Sequence, residues 1–144
     1  IHGLAGARVG WAYAAPQVID TITRISLTFP LATPSLHAAV AALEDEDHRS
    51  YVRNETAKLR DEVMQKLTDV GIHVYSGHGN FLLMEMKSDT NLAQELDSSL
   101  RQEGISLRRF ASPAFDACLR MTIGHHAETR AATDALVRLY GEMA

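Results

Sequence analysis

Two arginines occupy settings in which a guanidinium could bind an anion. Arg8 lies in a glycine-rich segment, residues 3–10, where the missing side chains allow a ligand to approach the backbone closely. Arg120 lies in an otherwise apolar run, residues 118–123, where its charge needs an anionic partner. That partner is either a ligand or the carboxylate of Asp116, which could share its strand face. From the residue types alone, the structural salt bridge is the better interpretation of Arg120, and a surface arginine is the alternative for Arg8.

The histidines and the single cysteine predict little further chemistry. His125 and His126 are adjacent and point in different directions on any regular element, and no second ligand pair stands at metal spacing. His73 and His78 flank a turn, so we expect no metal site. Cys118 sits in the apolar run, which favours a buried structural thiol over a nucleophile. One cysteine excludes an internal disulfide framework and is typical of a reducing compartment.

Composition excludes several classes of partner. The 144 residues suffice for one domain with a core, and the formal charge of −4 with no basic run predicts neither nucleic-acid nor membrane-surface binding. Residues 25–43 carry no formal charge, although 22% of the chain is charged, and Pro30 and Pro34 make membrane insertion unfavourable. We expect this stretch to lie against another protein surface near the active site and a subunit interface. An ordinary core helix within one subunit is the alternative.

The first half of the chain is expected to be mostly helical. Residues 7–14 predict a short strand, and a helix is expected from Pro16 to about Arg24. Thr33 and Pro34 are typical of an N-cap followed by the first helical position, which predicts a second helix ending near Leu43. The acidic patch at residues 44–47 separates it from a third helix.

The third helix is predicted by an apolar stripe that Gly71 ends. Glu62 and Lys66, four residues apart, are expected to pair on its other side. The stripe consists of Val52, Thr56, Leu59, Val63, Leu67 and Val70.

The second half has the pattern of a small sheet covered by two helices. We expect strands at residues 72–75, 80–86, 105–110 and 118–123, with turn residues between the first two. One helix is expected over residues 91–102, capped by Asp89 or Thr90 and ended by Gly104. The other is expected over residues 127–142, with Ala132, Leu136, Leu139 and Met143 buried.

Four stretches resemble one enzyme family. The opening HGLAGARVGW, residues 2–11, is similar to the Gly-Leu-Ala-Gly-x-Arg-x-Gly segment of fold-type I, pyridoxal-phosphate-dependent class I/II aminotransferases. It is most similar to the histidinol-phosphate aminotransferase branch. GNFLLME (79–85), GISLRRF (104–110) and CLRMTIGHHAET (118–129) resemble later segments of that branch in the same order. The first and last stretches are specific to this family, and the middle two give supporting similarity.

The resemblance implies a fold and a set of roles. The fold class is α/β, with residues 1–30 as the end of a large cofactor-binding domain, 31–70 as linking helices and 71–144 as a small α+β C-terminal domain. Pyridoxal 5'-phosphate is the implied cofactor, and Arg8 is expected to bind its phosphate. Arg120 and Asn80 are expected to bind the amino substrate through its carboxylate or equivalent anionic end.

The lysine that holds the cofactor as a Schiff base is expected immediately before Ile1, so no catalytic residue is assigned within the chain. Lys58 and Lys66 on the long helix and Lys87 after a strand do not match its position. We expect the chain to be the downstream half of a protein divided at a modified lysine, and a true truncation is the alternative.

The implied protein is a cytoplasmic homodimeric transaminase that acts on an amino donor and a 2-oxo acid. The present chain is expected to function together with the upstream half of the same protein. His2, His125 and His126 depart from the family pattern at positions near the substrate, which leaves the substrate's identity open. An amino-acid phosphate decarboxylase on the same scaffold is one alternative. A non-catalytic α+β binding module is the other.

Overall fold

The computed structural model describes residues 1–87 and 89–143, so residue 144, the end of the predicted C-terminal domain, lies outside the described residues. The chain forms two compact units, Ile1–Arg53 and the part from Asn54 onward. Within the described residues, no helix is long and apolar enough to cross a membrane.

The first unit is helical and contains less regular structure than the sequence predicts. A short 3-10 turn at Ala5–Ala7 precedes α1, Pro16–Ile25, and α2, Thr33–Glu44. The predicted strand at residues 7–14 is wrong, because no segment of the described chain supplies the hydrogen-bonding neighbour that a strand needs. Thr33 is also not the N-cap of α2: Ala32 holds that position without a side-chain hydrogen bond.

No residue of this first unit is fully buried. Its large apolar side chains lie at the surface, including Trp11, Tyr13, Ile25, Leu27 and Phe29, each at least 79% exposed. So much exposed apolar surface is typical of a region that another protein surface covers.

The long third helix is confirmed. This helix, α3, spans Glu46–Asp69, with its first turn inside the acidic patch, where carboxylates favour a helix N-terminus. Gly71 follows it with a φ of 86°, and the Ile72 amide donates to the Leu67 carbonyl at 3.1 Å, the hydrogen bond of a glycine C-cap. Of the predicted stripe, Leu59, Val63 and Leu67 are buried, whereas Val70 lies past the helix end and stays exposed.

Ion pairs connect α3 to the last helix, α5, His126–Met143. Arg130 donates to both carboxylate oxygens of Glu62 at 3.0 and 3.1 Å, and Lys66 pairs with Asp134. Glu62 and Lys66 each make their direct ion pair with α5 rather than with each other. The Arg130 guanidinium, by its hydrogen bonds, holds the pKa of Glu62 below the ordinary glutamate value, and the charge of Lys66 also lowers it.

The sheet has three antiparallel strands in the order β1 (His73–Tyr75), β2 (Phe81–Glu85) and β3 (Cys118–Thr122). Strand register pairs Leu83 with both Tyr75 and Arg120, so these three side chains share one face. The opposite face contributes to the core. Its side chains are Val74, Leu82, Met84, Leu119 and Met121.

The predicted strand at residues 105–110 is reduced to a single bridge between Arg108 and Arg120. Its beginning is held by a helix end, since the Ile105 amide donates to the Leu100 carbonyl at 2.9 Å. Its end is held by a loop, since Phe110 packs against Phe115. Too few residues remain between these anchors to form a longer ladder.

Two helices pack with the sheet, as predicted. Helix α4, Thr90–Gln102, is capped by Asp89, whose Oδ1 accepts from the Asn91 and Leu92 amides. Helix α5 buries Leu136, Leu139 and Tyr140. The predicted burial of Met143 is wrong, because the buried part of α5 ends at Tyr140 and the last turn faces outward.

Candidate anion-binding site

Arg108 and Arg120 lie side by side on the outward face of the sheet. The Arg108 amide donates to the Arg120 carbonyl at 3.0 Å, and the Arg120 amide donates to the Arg108 carbonyl at 2.9 Å. Residues that exchange both hydrogen bonds across an antiparallel bridge point their side chains to the same face, with Cα atoms roughly 5.5 Å apart. Two cationic side chains that leave one face from positions this close repel each other, and an anion bound by both would offset that repulsion.

Neither arginine has a carboxylate partner among the described residues. The carboxylate of Asp116, the alternative partner considered for Arg120, forms no ion pair there, and its backbone carbonyl accepts from Arg109 at 3.1 Å. Nε of Arg120 is buried without a hydrogen-bond partner. A buried donor without an acceptor costs roughly 1–3 kcal/mol, so Arg120 favours an added acceptor.

An open groove of about 910 Å³ runs along this edge of the sheet. Arg101, Arg108, Arg109 and Arg120 are among its lining residues, and Glu128 is the one acidic residue lining it within the described chain. Arg101 is already paired with Asp97 at 2.9 Å and Arg109 donates to the Asp116 carbonyl, which leaves the guanidinium groups of Arg108 and Arg120 for a ligand. Three cations against one carboxylate give a groove that favours anions.

An aromatic ring contacts the central arginine. The guanidinium carbon of Arg120 lies 5.3 Å from the centroid of the Phe81 ring, within the range of a cation–π interaction. Phe81 pairs with Thr122 and Leu83 pairs with Arg120, so Phe81 and Arg120 are diagonal neighbours on one face. The ring is 45% exposed and therefore lies at the surface beside the guanidinium.

Asn80, the second predicted substrate residue, lies directly before β2. Its carbonyl accepts from the Ile123 amide at 2.8 Å, which makes Asn80 and Ile123 an opposed pair. The residue is exposed, and within the described chain no hydrogen bond joins its side chain to Arg120.

Arg8, the predicted phosphate ligand, lies in the first unit. Its backbone is left-handed, with φ of 53°, a conformation that costs a non-glycine residue roughly 1–2 kcal/mol and that clusters at functional sites. One guanidinium N–H donates to the Ala5 carbonyl at 3.0 Å, and the exposed side chain forms no ion pair with the described residues. An exposed guanidinium with most of its N–H donors unused by the described chain fits a phosphate group.

The remaining candidate groups serve structural roles. Cys118 is buried, and burial together with nearby Glu85 and Asp116 raises the pKa of its thiol, so it is a poor nucleophile. His126 lies 3.3 Å from Glu55 in a contact between α5 and α3. Among the described residues, no three histidine, cysteine or acidic side chains are grouped so that they could hold a metal ion.

Sequence reasoning missed Arg108 and Phe81. Arg108 is visible in the segment GISLRRF, but its proximity to Arg120 depends on a bridge that closes across an eleven-residue loop. The sequence does contain a signal for such a hairpin. It consists of two apolar runs, each with an arginine near its centre, joined by a loop that contains proline. Phe81 could be found only once the strand register was known.

Comparisons with known proteins assign this arrangement to a family. The family model described as "Aminotransferase class I and II" matches residues 1–136. A curated relative from Cereibacter sphaeroides (strain KD131), a histidinol-phosphate aminotransferase, is 37% identical over 136 residues, which are 94% of this chain and 37% of the relative. The chain thus spans little more than a third of that relative's length.

Solved structures share the fold. The histidinol-phosphate aminotransferase from Sinorhizobium meliloti, in complex with pyridoxal-5'-phosphate, superposes with a TM-score of 0.86 at 26% identity, covering 99% of this chain and 39% of that one. A decarboxylase from Sulfurospirillum multivorans superposes with a TM-score of 0.75 at 20% identity, covering 96% of this chain and 40% of that one. The α/β fold expected from the four stretches is therefore confirmed.

Proposed function

Because the chain belongs to the class I and II aminotransferase family, we propose that the protein containing it is a pyridoxal-phosphate-dependent aminotransferase. It transfers an amino group between an amino acid or amino-alcohol phosphate and a 2-oxo acid, and the curated relative makes histidinol phosphate the first donor to test. The observation that carries the proposal is the pair Arg108 and Arg120, two guanidinium groups on one face without a carboxylate partner in the described chain.

Pyridoxal phosphate, when bound, supplies the electron sink that this exchange needs. In the proposal, Arg8 binds its phosphate through the guanidinium N–H groups not donated to Ala5. The geometry supports this assignment, because the side chain is exposed in a glycine-rich segment and has no competing carboxylate in the described chain.

Arg120 and Arg108 bind the acidic end of the substrate. A carboxylate or phosphate takes parallel hydrogen bonds from a guanidinium edge, which fixes orientation as well as position. Such fixation aims the amino group of the donor at the cofactor and lowers the entropic part of the barrier. The same two side chains then accept the 2-oxo acid in the reverse half of the exchange, because both substrates carry an anionic end.

The reaction is tested with the full-length holoenzyme, histidinol phosphate or L-glutamate as donor, and 2-oxoglutarate as acceptor. We expect the donor's loss to match formation of the new amino acid one to one and to stop when the oxo acid is left out. Release of CO₂ without a need for oxo acid would assign the decarboxylase alternative, whose fold the Sulfurospirillum protein shares. If neither turnover nor cofactor binding is observed, the non-catalytic binding module is the remaining alternative.

Three lysines of the chain are poor candidates for covalent attachment of the cofactor. Lys58 donates to Glu55 at 2.9 Å, which raises its pKa, and Lys66 pairs with Asp134. Lys87 lies over the Tyr140 ring at 5.4 Å. We therefore keep the lysine expected before Ile1 as the attachment site. Borohydride reduction followed by peptide mapping identifies the attached residue.

We also propose that the enzyme is a cytoplasmic homodimer in which residues 25–43 lie at the subunit interface. This stretch has no formal charge, and Leu27 and Phe29 are 79% and 89% exposed. Substituting Phe29→Asp would bury an unpaired charge and should shift the protein to monomers in sedimentation at micromolar concentration. The substitution Tyr51→Asp, at an exposed site outside the stretch, is the matched control. A fully active wild-type monomer would rule out this proposal.

Asn80 remains a substrate residue on the resemblance alone. The strand register does not fix the direction of its side chain, because Asn80 precedes the first residue of β2. The substitution Asn80→Ala tests it through the KM of the amino donor, and an unchanged KM removes Asn80 from the site.

A further inference from the structure

We propose that Phe81 is a positioning residue that fixes the orientation of the Arg120 guanidinium, and that Gly79 provides the space for its ring. The inference rests on the proposed role of Arg120 as a substrate ligand. It adds Phe81, whose ring contacts Arg120, and Gly79, which lies beside that ring. Neither residue is proposed to contact the substrate.

Arg120 has few other contacts to hold its side chain in place. It forms no ion pair with the described residues, and its Nε has no hydrogen-bond partner. A long side chain without such partners loses considerable rotamer entropy when a ligand fixes it. The Phe81 ring lies 5.3 Å from the guanidinium carbon and provides an aromatic contact for the Arg120 side chain.

In a cation–π contact made by its face, a guanidinium keeps its ligand-binding edges open. A ring attracts the face of a guanidinium through its quadrupole, whereas the N–H groups project from the edges of the same plane. Phe81 can therefore fix the plane without taking the donors that an anion needs. An anion then meets an arginine that is already oriented, which reduces the entropic cost of binding.

Gly79 determines where the Phe81 ring can lie. A Cβ added at Gly79 would lie 3.1 Å from Cε1 and 3.4 Å from Cδ1 of the ring. The first distance is shorter than an ordinary van der Waals contact, so a side chain here must displace the ring. The φ of Gly79 lies outside the positive region, so alanine fits its backbone and acts on the ring alone.

The decisive probe is inorganic phosphate, because its binding to the full-length holoenzyme needs no turnover. We expect Phe81→Leu to weaken phosphate binding about three- to tenfold, the range of a partly desolvated cation–π contact. The KM for histidinol phosphate should rise by a similar factor, with kcat and the cofactor absorbance nearly unchanged. The substitution Phe81→Tyr keeps the ring and should restore affinity. Gly79→Ala should act in the same direction and more weakly.

Phe115→Leu is the matched control, since Phe115 is 44% exposed and Phe81 is 45% exposed. It should leave phosphate affinity unchanged. The melting temperatures of all variants show whether a loss of phosphate affinity comes from the lost ring contact or from poor folding. If Phe81→Leu folds poorly, Phe81→Tyr still tests the inference, because it keeps the ring and should bind phosphate as wild type does.

A double-mutant cycle with Arg120→Gln, which removes the cation, separates this inference from the function on which it rests. If Phe81 acts through Arg120, Phe81→Leu should change phosphate affinity less than about twofold in the glutamine background. The same factor in both backgrounds, or no effect of Phe81→Leu alone, would overturn the positioning role while Arg120 stays a ligand. An Arg120→Gln protein with unchanged phosphate affinity would overturn both.

Discussion

The two units of the chain bury their apolar side chains to very different extents. From residue 54 onward, α3, α4, α5 and the sheet enclose a continuous core in which Leu67, Leu96 and Leu136 are completely buried. In residues 1–53 no side chain is fully buried, and Trp11 and Phe29 are almost entirely exposed. The second unit has the interior that an independently folded domain needs, whereas the first has apolar surface that requires a cover.

The proposed chemistry follows the same division. The candidate cofactor ligand, Arg8, lies in the unit without a core, and the candidate substrate ligands, Arg108 and Arg120, lie on the unit with one. A substrate site on a packed sheet is held by strand register, which the chain itself provides. A cofactor site in an uncovered segment needs order from elsewhere, and we propose that the remainder of the subunit and its partner supply it.

The largest difference between the units should appear in stability. The substitution Leu96→Ala removes a completely buried side chain and should lower the free energy of unfolding by about 2–5 kcal/mol. Leu36→Ala, at a 48% exposed site of the first unit, should cost far less in this chain. Urea denaturation followed by circular dichroism measures both. Equal losses would contradict the contrast between the units.

Arg8→Ala should reduce cofactor affinity in the full-length protein by about ten- to a hundredfold, the loss of a charge-assisted hydrogen bond to phosphate. Equilibrium dialysis against pyridoxal phosphate, read by absorbance, measures it. Arg24→Ala removes another exposed arginine of the same unit, one paired with Asp20, and should have no effect. An Arg8→Ala protein with the affinity of wild type would remove the cofactor role from the first unit.

The smallest effect concerns the ion pairs between α3 and α5. The pKa of Glu62 is lowered by Arg130, so its stabilising contribution is present above the ordinary glutamate value of 4.5 and is lost as the pH falls through the lowered value. We therefore expect Glu62→Gln to lower the melting temperature slightly at about pH 7, and this difference to shrink as the pH falls below 4.5 and through the lowered pKa of Glu62. Glu95→Gln, an exposed acid in the middle of α4 that forms no ion pair with the described residues, should show no such dependence. A difference that persists in acid would show that the ion pair is not its cause.

Local signals predicted the elements that depend on local chemistry. The cap at Asp89 and the glycine stop at Gly71 are confirmed, because each depends on hydrogen bonds within a few residues. The strand at residues 7–14 and the longer strand at 105–110 are wrong, because a strand depends on a neighbour that the sequence does not specify.

The candidate site divides in the same way. Arg120 could be found from its apolar surroundings, since an isolated charge in a strand-like run is unusual. Arg108 and Phe81 could not, because their closeness to Arg120 follows from a bridge and a register that form only in the folded chain. Asn80 is predicted from the resemblance, and the backbone bond to Ile123 fixes its main chain but not the direction of its side chain.

The most direct measurement is kcat/KM of the full-length Arg120→Lys enzyme for the amino donor. Lysine keeps the charge but loses the two-pronged geometry, so we expect kcat/KM to fall about ten- to a hundredfold, roughly 1.4–2.8 kcal/mol of transition-state stabilisation, with a raised KM and an unchanged cofactor absorbance. Arg130→Lys, whose arginine pairs with Glu62 on the other helix, should behave as wild type. Arg120→Lys kinetics indistinguishable from wild type with every amino donor would contradict the assignment of Arg120 to the substrate site.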